Sequence, residues 1–447
     1  MKHQSVSIVS LGCAKNTVDS DSMAQLLFRS GYEIVSDPRQ ADVMIVNTCG
    51  FIDSAKEESY SVLAELAKKK KRRQVLIAAG CLTQRYGSEV SAHVPGVDGI
   101  IGTRRWMDIV ELVEGLREGR YNAPYCHLPV AATVGTDERD VRRVAVQGAS
   151  AYLKIADGCR RSCAFCAIPM IKGTSVSRPL ESICAEAEYL QGQGIREIIL
   201  ISQDTTDYGA DLGMKNGLAH LLESIGRRVP SVDWIRIMYA YPGYVTDELI
   251  EVMAGNPRIV PYLDIPLQHA HPAVLKRMNR PSDIGWVRTT LAKMRKAVPD
   301  LALRTTFIVG YPGETEEEFE TLLDFVEEIR FDKLGAFTFS FEEGTPSEKL
   351  GDTVPAGLKE ERLQRLMERQ QSISLEENRL CIGRTLDVLI EGSGDGISVG
   401  RSYRDAPEID GLVLVKGELT VDTMVPVRIT GATVYDLEGE PNPQPKR

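Results

Sequence analysis

The chain reads as an α/β protein in three parts: an open parallel α/β sheet, a partial barrel of six strand–helix units, and a small β-barrel. Three observations predict this. Apolar runs alternate with helix-like segments through the first third, as a parallel sheet requires. From Ala151 an apolar strand and a helix recur roughly every thirty residues, as βαβ units do. From Gly383 the hydrophobic period becomes two. A chain of 447 residues, 43% hydrophobic and 26% charged, has the length and composition for about three globular domains.

The first domain is expected over residues 1–126. Strands are predicted at 6–10, 42–47, 74–79 and 98–102, with a helix over 18–30 stopped by Gly31 and another starting near Trp106. Cysteines sit where three of these strands finish: Leu11-Gly12-Cys13, Asn47-Thr48-Cys49-Gly50 and Gly80-Cys81-Leu82. The carboxyl ends of parallel strands share one edge, and ligands bind there. Three thiols far apart in sequence should therefore converge. One such cysteine reads as a small buried hydrophobe; three in the same topological position point to a metal site. The basic run Lys68-Lys69-Lys70-Lys71-Arg72-Arg73 suits a solvated helix end or a contact with RNA. Residues 127–148, polar and including Asp137-Glu138-Arg139-Asp140, read as a linker or edge ribbon.

The central domain, 149–375, opens on Cys159-Arg160-Arg161-Ser162-Cys163-Ala164-Phe165-Cys166, a C-x3-C-x2-C spacing. A structural zinc site wants four closed ligands. Three thiolates suit a 4Fe-4S cluster, which is normally held by four, and leave one iron open for a substrate. Strands are predicted at 151–156, 197–202, 234–238, 262–266, 303–309 and 333–339, short of the eight of a full barrel. Polar residues gather after several of them, where barrel sites are built. Gln203 follows the second strand, and Gly310 and Glu314 follow the fifth in Gly310-Tyr311-Pro312-Gly313-Glu314. The glycines permit backbone approach to a bound nucleoside, while Glu314 also suits a first-turn helix charge. Arg178 reads as a carboxylate clamp or as a helix-leading surface charge. His269 and His271 are given no catalytic role. Cys126 in the linker, Cys184 in the helix 180–191 and Cys381 near the last junction are expected not to bind metal.

The tail, 380–445, carries predicted strands at 385–390, 411–415, 425–430 and 432–435 with a turn over 392–396, a pattern for a small barrel of oligonucleotide-binding type. From Cys381 onward seven Lys/Arg face eleven Asp/Glu. An RNA clamp should show the opposite sign, so this barrel is expected to meet a basic protein. The charged helix before it, 358–379, reads as a connector.

The octet from Cys159 to Cys166, with Phe165 at the aromatic position, resembles the signature of radical S-adenosylmethionine enzymes. The resemblance implies a 4Fe-4S cluster on Cys159, Cys163 and Cys166. Its open iron would bind S-adenosylmethionine, which is cleaved to a hydrogen-abstracting radical. Phe165, Arg178, Gln203, Gly310 and Glu314 become the candidate cofactor contacts.

The segments Leu11-Gly12-Cys13-Ala14-Lys15-Asn16 and Asn47-Thr48-Cys49-Gly50-Phe51-Ile52 resemble the amino-terminal domain of methylthiotransferases. This implies a second 4Fe-4S cluster, on Cys13, Cys49 and Cys81, that carries the inserted sulfur. The tail is similar to the TRAM domain of that family. Ser177-Arg178-Pro179-Leu180-Glu181-Ser182-Ile183, Ile201-Ser202-Gln203-Asp204-Thr205-Thr206 and Asp264-Ile265-Pro266-Leu267-Gln268-His269-Ala270 look like its ribosomal-protein branch. Phe341 departs from the proline expected there. The resemblance implies methylthiolation of the β-carbon of an aspartate of ribosomal protein S-twelve, with no catalytic side chain beyond the cluster ligands. One molecule of S-adenosylmethionine would supply the methyl group and another the radical.

Two alternatives stand beside that reading: a methylthiotransferase acting on transfer-RNA adenosine, and a non-catalytic iron–sulfur scaffold or electron carrier. The expected partners are basic S-twelve, free or on the ribosome, a low-potential electron donor and a sulfur donor. The net charge of −10 argues against naked nucleic acid as the main partner. With no apolar run of membrane length and no leader pattern, the protein is expected to be a cytoplasmic monomer away from the membrane.

Overall fold

In the strand Val43–Thr48 every side chain is buried. Met44 and Val46 face one helical layer, and Val43 and Ile45 the other. A strand covered on both faces needs a continuous apolar run, and that run is what the sequence supplies. The computed structural model describes residues 4–129 and 139–442, so 130–138 of the expected linker lie outside the described residues. The described chain divides into two compact units.

The first unit comprises residues 1–145, 152–179 and 342–345. Its elements begin with β1 (Ser5–Ser10), α1 (Ala14–Arg29), β2 (Glu33–Ile34), β3 (Val43–Thr48), α2 (Asp53–Lys69), β4 (Val75–Gly80) and α3 (Cys81–Tyr86). There follow α4 (Glu89–His93), β5 (Gly99–Gly102), a 3-10 turn over Thr103–Asp108, α5 (Ile109–Arg117) and β6 (Tyr125–His127). The six strands form one parallel sheet in the order β2-β1-β3-β4-β5-β6. Residues of α1 and α5 cover one face, and residues of α2, α3 and α4 the other. The order reverses between β1 and β3, the switch point of a doubly wound sheet, where ligands bind outside the strand ends.

Two expectations need correction here. Cys126 is not in the linker: it lies in β6, paired to Ile100. That edge strand is held through His127, whose Nε2 is 2.8 Å from Asp108 Oδ2. The helix expected near Trp106 opens as a 3-10 turn, with α5 proper starting at Ile109.

The chain next forms β7 (Val144–Gln147), β8 (Ser150–Lys154), β9 (Ala156–Asp157), α6 (Ile168–Lys172) and β10 (Val176–Ser177). Strands β9 and β10 pair antiparallel and close the base of the Cys159–Cys166 loop.

The second unit, residues 146–151, 180–341 and 346–447, carries the remaining strand–helix units. They are α7 (Leu180–Gly192), β11 (Glu197–Ile201), α8 (Gly217–Arg228), β12 (Trp234–Ile237), α9 (Asp247–Gly255), β13 (Tyr262–Asp264), α10 (Pro272–Arg277) and α11 (Ile284–Ala297). The series ends with β14 (Ala302–Val309), α12 (Glu316–Ile329), β15 (Lys333–Thr338) and α13 (Ala356–Arg379). Strands β11 and β12 pair in parallel, as do β13, β14 and β15. The six expected strands are thus present, counting β8 as the first. Between β12 and β13 only a single parallel bridge, Ile235 to Ile259, and the bond from Ala240 N to Asp264 O continue the curve.

Helix α13 is more than a connector. Arg362, Leu366, Gln370 and Ile373 form a buried seam along it. Its charges are matched by acidic α12 and the turn before it: Arg362 bonds Glu314 and Glu316, Arg365 bonds Glu316 and Glu320, and Arg369 bonds Glu327. A charge pattern that looked solvated all round hides a paired face.

Five strands close the small barrel: β16 (Thr385–Gly394), β17 (Ile397–Ser402), β18 (Val413–Lys416), β19 (Met424–Ala432) and β20 (Leu437–Pro441), in the order β16-β17-β18-β20-β19. The expected turn over 392–396 is narrower: Asp395 and Gly396, both at positive φ, make a two-residue hairpin between β16 and β17. Of the strand expected at 432–435 only Ala432, the end of β19, is extended; the rest is a turn, in which Thr433 N donates to Asp436 O at 2.8 Å.

The end of β17 and the segment after it reach the starts of the partial-barrel strands. Arg401 bonds Glu197, Lys333 bonds Asp405, Arg404 bonds Asp332, and the Tyr262 hydroxyl bonds Asp410. Buried pairs like these are strongly destabilising to break, so they tie the small barrel to the larger one.

Candidate functional site

The parallel sheet places β1, β3 and β4 side by side, and the turns leaving them carry Cys13, Cys49 and Cys81. Cys13 is exposed, Cys49 half-buried and Cys81 buried. Gly12 has φ +87°, and a Cβ there would lie 2.8 Å from Cys49 Cβ and 3.1 Å from its Sγ. Gly80 has φ +103°, and a Cβ there would strike Asn47 and the Thr48 backbone. Only glycine admits both the backbone angle and the approach.

Burial pushes the Cys81 thiol up to about 12 against the pull of the Lys172 ammonium, and Cys13, Cys49 and Asp19 add to the rise. Burial likewise raises Cys49, with Cys13 contributing. The three thiols are therefore within electrostatic reach of one another. A group whose thiolate form is penalised this way is stabilised by metal ligation, which removes the proton and supplies positive charge.

Sequence reasoning missed the residues that lock these turns together. Asn16, on the first turn of α1, donates from Nδ2 to Leu11 O at 2.9 Å and to Thr48 O at 3.1 Å. Its Oδ1 is 3.7 Å from Cys81 Sγ. Asn47 Nδ2 donates to Asn16 O at 2.8 Å, and Ser59 Oγ bonds both the N–H and the carbonyl of Cys49. Asparagine adjoining a strand end, twice beside a cysteine turn, was the available signal.

Cys159, Cys163 and Cys166 occupy the loop between β9 and α6. Gly158 enters it at φ +77°, where a Cβ would sit 2.0 Å from Thr174 O. Cys159 N donates to Gly173 O at 3.0 Å, and Cys166 N to Cys163 O at 3.1 Å. Phe165 is half-buried at the tip. Arg178 is buried, its N donating to Ile155 O and its Nη1 to Lys154 O at 2.8 Å. The alternative of a surface charge at Arg178 is thus removed.

The two sets of cysteines share the first unit, where Cys81 reaches the segment after Cys166. Cys81 packs against Ala167 and Ile171, the residues that follow Cys166. Arg104 ties the same segment down through bonds to the carbonyls of Met170 and Ile171. Among the described residues no three His, Cys, Asp or Glu side chains close on one point as a single ion needs. Cysteine thiolates are the ligands that iron–sulfur clusters take, and the two sets of three free cysteines have that donor chemistry.

Gln203, Gly310 and Glu314 belong to the second unit. Gln203 Oε1 and Ser202 Oγ are buried without a hydrogen-bond partner, as residues awaiting a ligand would be. Gly310, at φ +70°, makes room for Lys359, whose Cγ would be 2.4 Å from a Cβ there. Glu314 is buried outside α12; its Oε1 accepts from Gly310 N and Arg362 Nη1, and its Oε2 lies 3.4 Å from His269 Nε2. No disulfide joins the cysteines, and Cys184 and Cys381 are buried in α7 and in the small barrel's core.

Three family models match the chain: the uncharacterised protein family UPF0004 over residues 5–102, the Radical SAM superfamily over 153–326, and the TRAM domain over 382–441. The radical S-adenosylmethionine methyltransferase TsrM of Kitasatospora setae shares the fold with a TM-score of 0.59 at 14% identity, over 91% of this chain and 82% of its own. Fold and motif together define a radical SAM enzyme carrying a TRAM barrel. Two relatives narrow the class. The ribosomal protein uS12 methylthiotransferase RimO of Chloroflexus aurantiacus is 48% identical over 449 residues, spanning 97% of this chain and 98% of its own. That of Thermoanaerobacter is 47% identical over 440 residues, spanning 98% and 100%. The chain belongs to the RimO family of methylthiotransferases.

Proposed function

We propose that the protein transfers a methylthio group to the β-carbon of an aspartate of ribosomal protein uS12. The observation that carries this is the meeting of Cys81 with the segment after Cys166, in a chain similar to uS12 methylthiotransferases over nearly its full length. The working divisions are residues 1–126, 149–375 and 380–445. When bound, S-adenosylmethionine and two 4Fe-4S clusters supply the hydrogen-abstracting radical, the methyl group and the sulfur.

The chain's own residues position these groups. Cys159, Cys163 and Cys166 hold one cluster, and Cys13, Cys49 and Cys81 the other. Gly12, Gly80 and Gly158 let the loops approach, while Asn16 holds the β1 and β3 turns in register beside Cys81. Phe165 and Arg178 on the first unit, and Gln203, Gly310 and Glu314 on the second, are the candidates for orienting S-adenosylmethionine; the unpartnered Gln203 Oε1 favours it most. Arg362 and Gly310 already engage one Glu314 oxygen, so Glu314 acts by shaping the Gly310 turn.

The acidic small barrel suits a basic protein, which favours uS12 over transfer RNA. Among the described residues no helix is long and apolar enough to cross a membrane. The protein works in the cytosol as a monomer, fed by a low-potential electron donor and a sulfur donor. The test is anaerobic incubation of the iron-loaded protein with uS12, S-adenosylmethionine and dithionite. A methylthio mass gain on uS12 with 5′-deoxyadenosine formed supports the proposal; 5′-deoxyadenosine absent throughout would favour an electron carrier.

A further inference from the structure

Behind Cys81 the first unit buries five charged side chains together: Asp19, Arg143, Lys154, Asp157 and Lys172. Asp19 Oδ1 lies 2.5 Å from Arg143 Nη2 and 2.7 Å from Lys154 Nζ; its Oδ2 is 2.8 Å from Lys172 Nζ. Asp157 Oδ2 is 2.7 Å from Lys154 and 3.2 Å from Arg143, and its Oδ1 is 3.4 Å from Lys172. Arg143 also stacks over Trp106 at 4.2 Å. Three cations and two carboxylates are thus gathered inside the protein. Burying ions is expensive, and stability alone would be served as well by apolar packing.

These charges adjoin the Cys81 turn. Lys172 directly follows Ile171, which packs on Cys81, and precedes Gly173, whose carbonyl holds Cys159 N. Asp19 lies one turn beyond Asn16, whose Oδ1 contacts Cys81 Sγ. Lys172 and Asp19 are thus fixed charges of opposite sign at the Cys81 side of the site. Burial keeps their fields unscreened by salt.

We propose that Lys172 and Asp19 are positioning residues that set the reduction potential of the cluster held by Cys13, Cys49 and Cys81. One-electron reduction adds a negative charge to a thiolate-bound cluster. A buried cation stabilises the reduced form and raises the potential; a buried carboxylate lowers it. This rests on the reading that those three cysteines hold a cluster.

The test is a potentiometric titration of the full-length, iron-loaded protein with dithionite, followed by electron paramagnetic resonance. Adding S-adenosylmethionine marks the signal of the Cys159 cluster, so that the other is read alone. Lys172→Met should make reduction of that other cluster at least about tenfold less favourable, ~59 mV per tenfold for one electron. Asp19→Asn should shift it the opposite way, and Lys172→Arg should leave it in place. Damage to packing alone would not give shifts of opposite sign. If Lys172→Met does not fold, Asp19→Asn raising the potential beside an unmoved Lys172→Arg supports the proposal. Unchanged potentials, or both shifting together, with iron at about eight per chain overturn it and leave the ligand assignment standing. Wild-type protein with only about four irons overturns the ligand assignment, and the proposal with it.

Discussion

Gly12 lies against Cys49 so closely that a single methyl group would meet the Cys49 Cβ at 2.8 Å. The turn after β1 is therefore shaped by the cysteine after β3, and the two cannot be altered independently. Gly12→Ala should strain a φ of +87° and displace Cys49 together. Iron content is expected to fall from about eight to about four per chain. Formation of 5′-deoxyadenosine should survive while methylthiolation is lost. Retention of all the iron would show that the Cys13 and Cys49 turns are not part of a cluster site.

Arg85 makes a second such tie. Its Nη1 is 2.7 Å from Glu342 Oε2 and 3.0 Å from Gly50 O, and its Nη2 donates to Glu343 O at 2.9 Å. Arg85→Met removes a charged donor from a buried carboxylate and from the carbonyl beside Cys49. Loss of about 3–5 kcal/mol is expected in denaturant unfolding, with slower iron incorporation. Lys at this position should restore little, because a point charge cannot span the three acceptors.

Much of this was legible in the sequence because it rests on period and spacing. The runs at Val43–Thr48 and Val75–Gly80 could only be buried strands, and the cysteines after them had to share an edge. The Cys159 octet announced its loop. What remained hidden was polar and buried. Strand β17 was missed because Arg401 and Ser402 interrupt its alternation; both are buried against polar partners, Glu197 far off in sequence and Asp405 just beyond the strand. The paired face of α13 was missed for the same reason, since a salt-bridged arginine and a solvated one look alike in sequence. Asn16 and the Asp19 cluster escaped because their partners lie up to 153 residues away.

The buried Glu197 gives a pH dependence with a definite sign. Burial opposes its charge, but Arg401 and Arg236 outweigh that and bring it from 4.5 to about 2. A carboxylate depressed on folding stabilises the protein above its unfolded value, and that stability drains away as pH falls through the folded one. The contribution is about 3 kcal/mol near neutrality. Glu197→Gln should be less stable than wild type at pH 7, and the gap should narrow as pH falls from about 4.5 toward 2. Denaturant midpoints of the two proteins across that range, both stripped of iron, measure it. A gap that stays constant would mean that Glu197 is not held in its charged form by the two arginines.

The account depends most on where the methylthio group ends. The direct measurement is the intact mass of ribosomal protein uS12 from cells with and without this gene. The account predicts that uS12 carries a methylthio group in place of one hydrogen only when the gene is present, on an aspartate located by fragmentation. Identical uS12 masses in both strains, with a methylthio-adenosine lost from transfer RNA in the deletion, would contradict it.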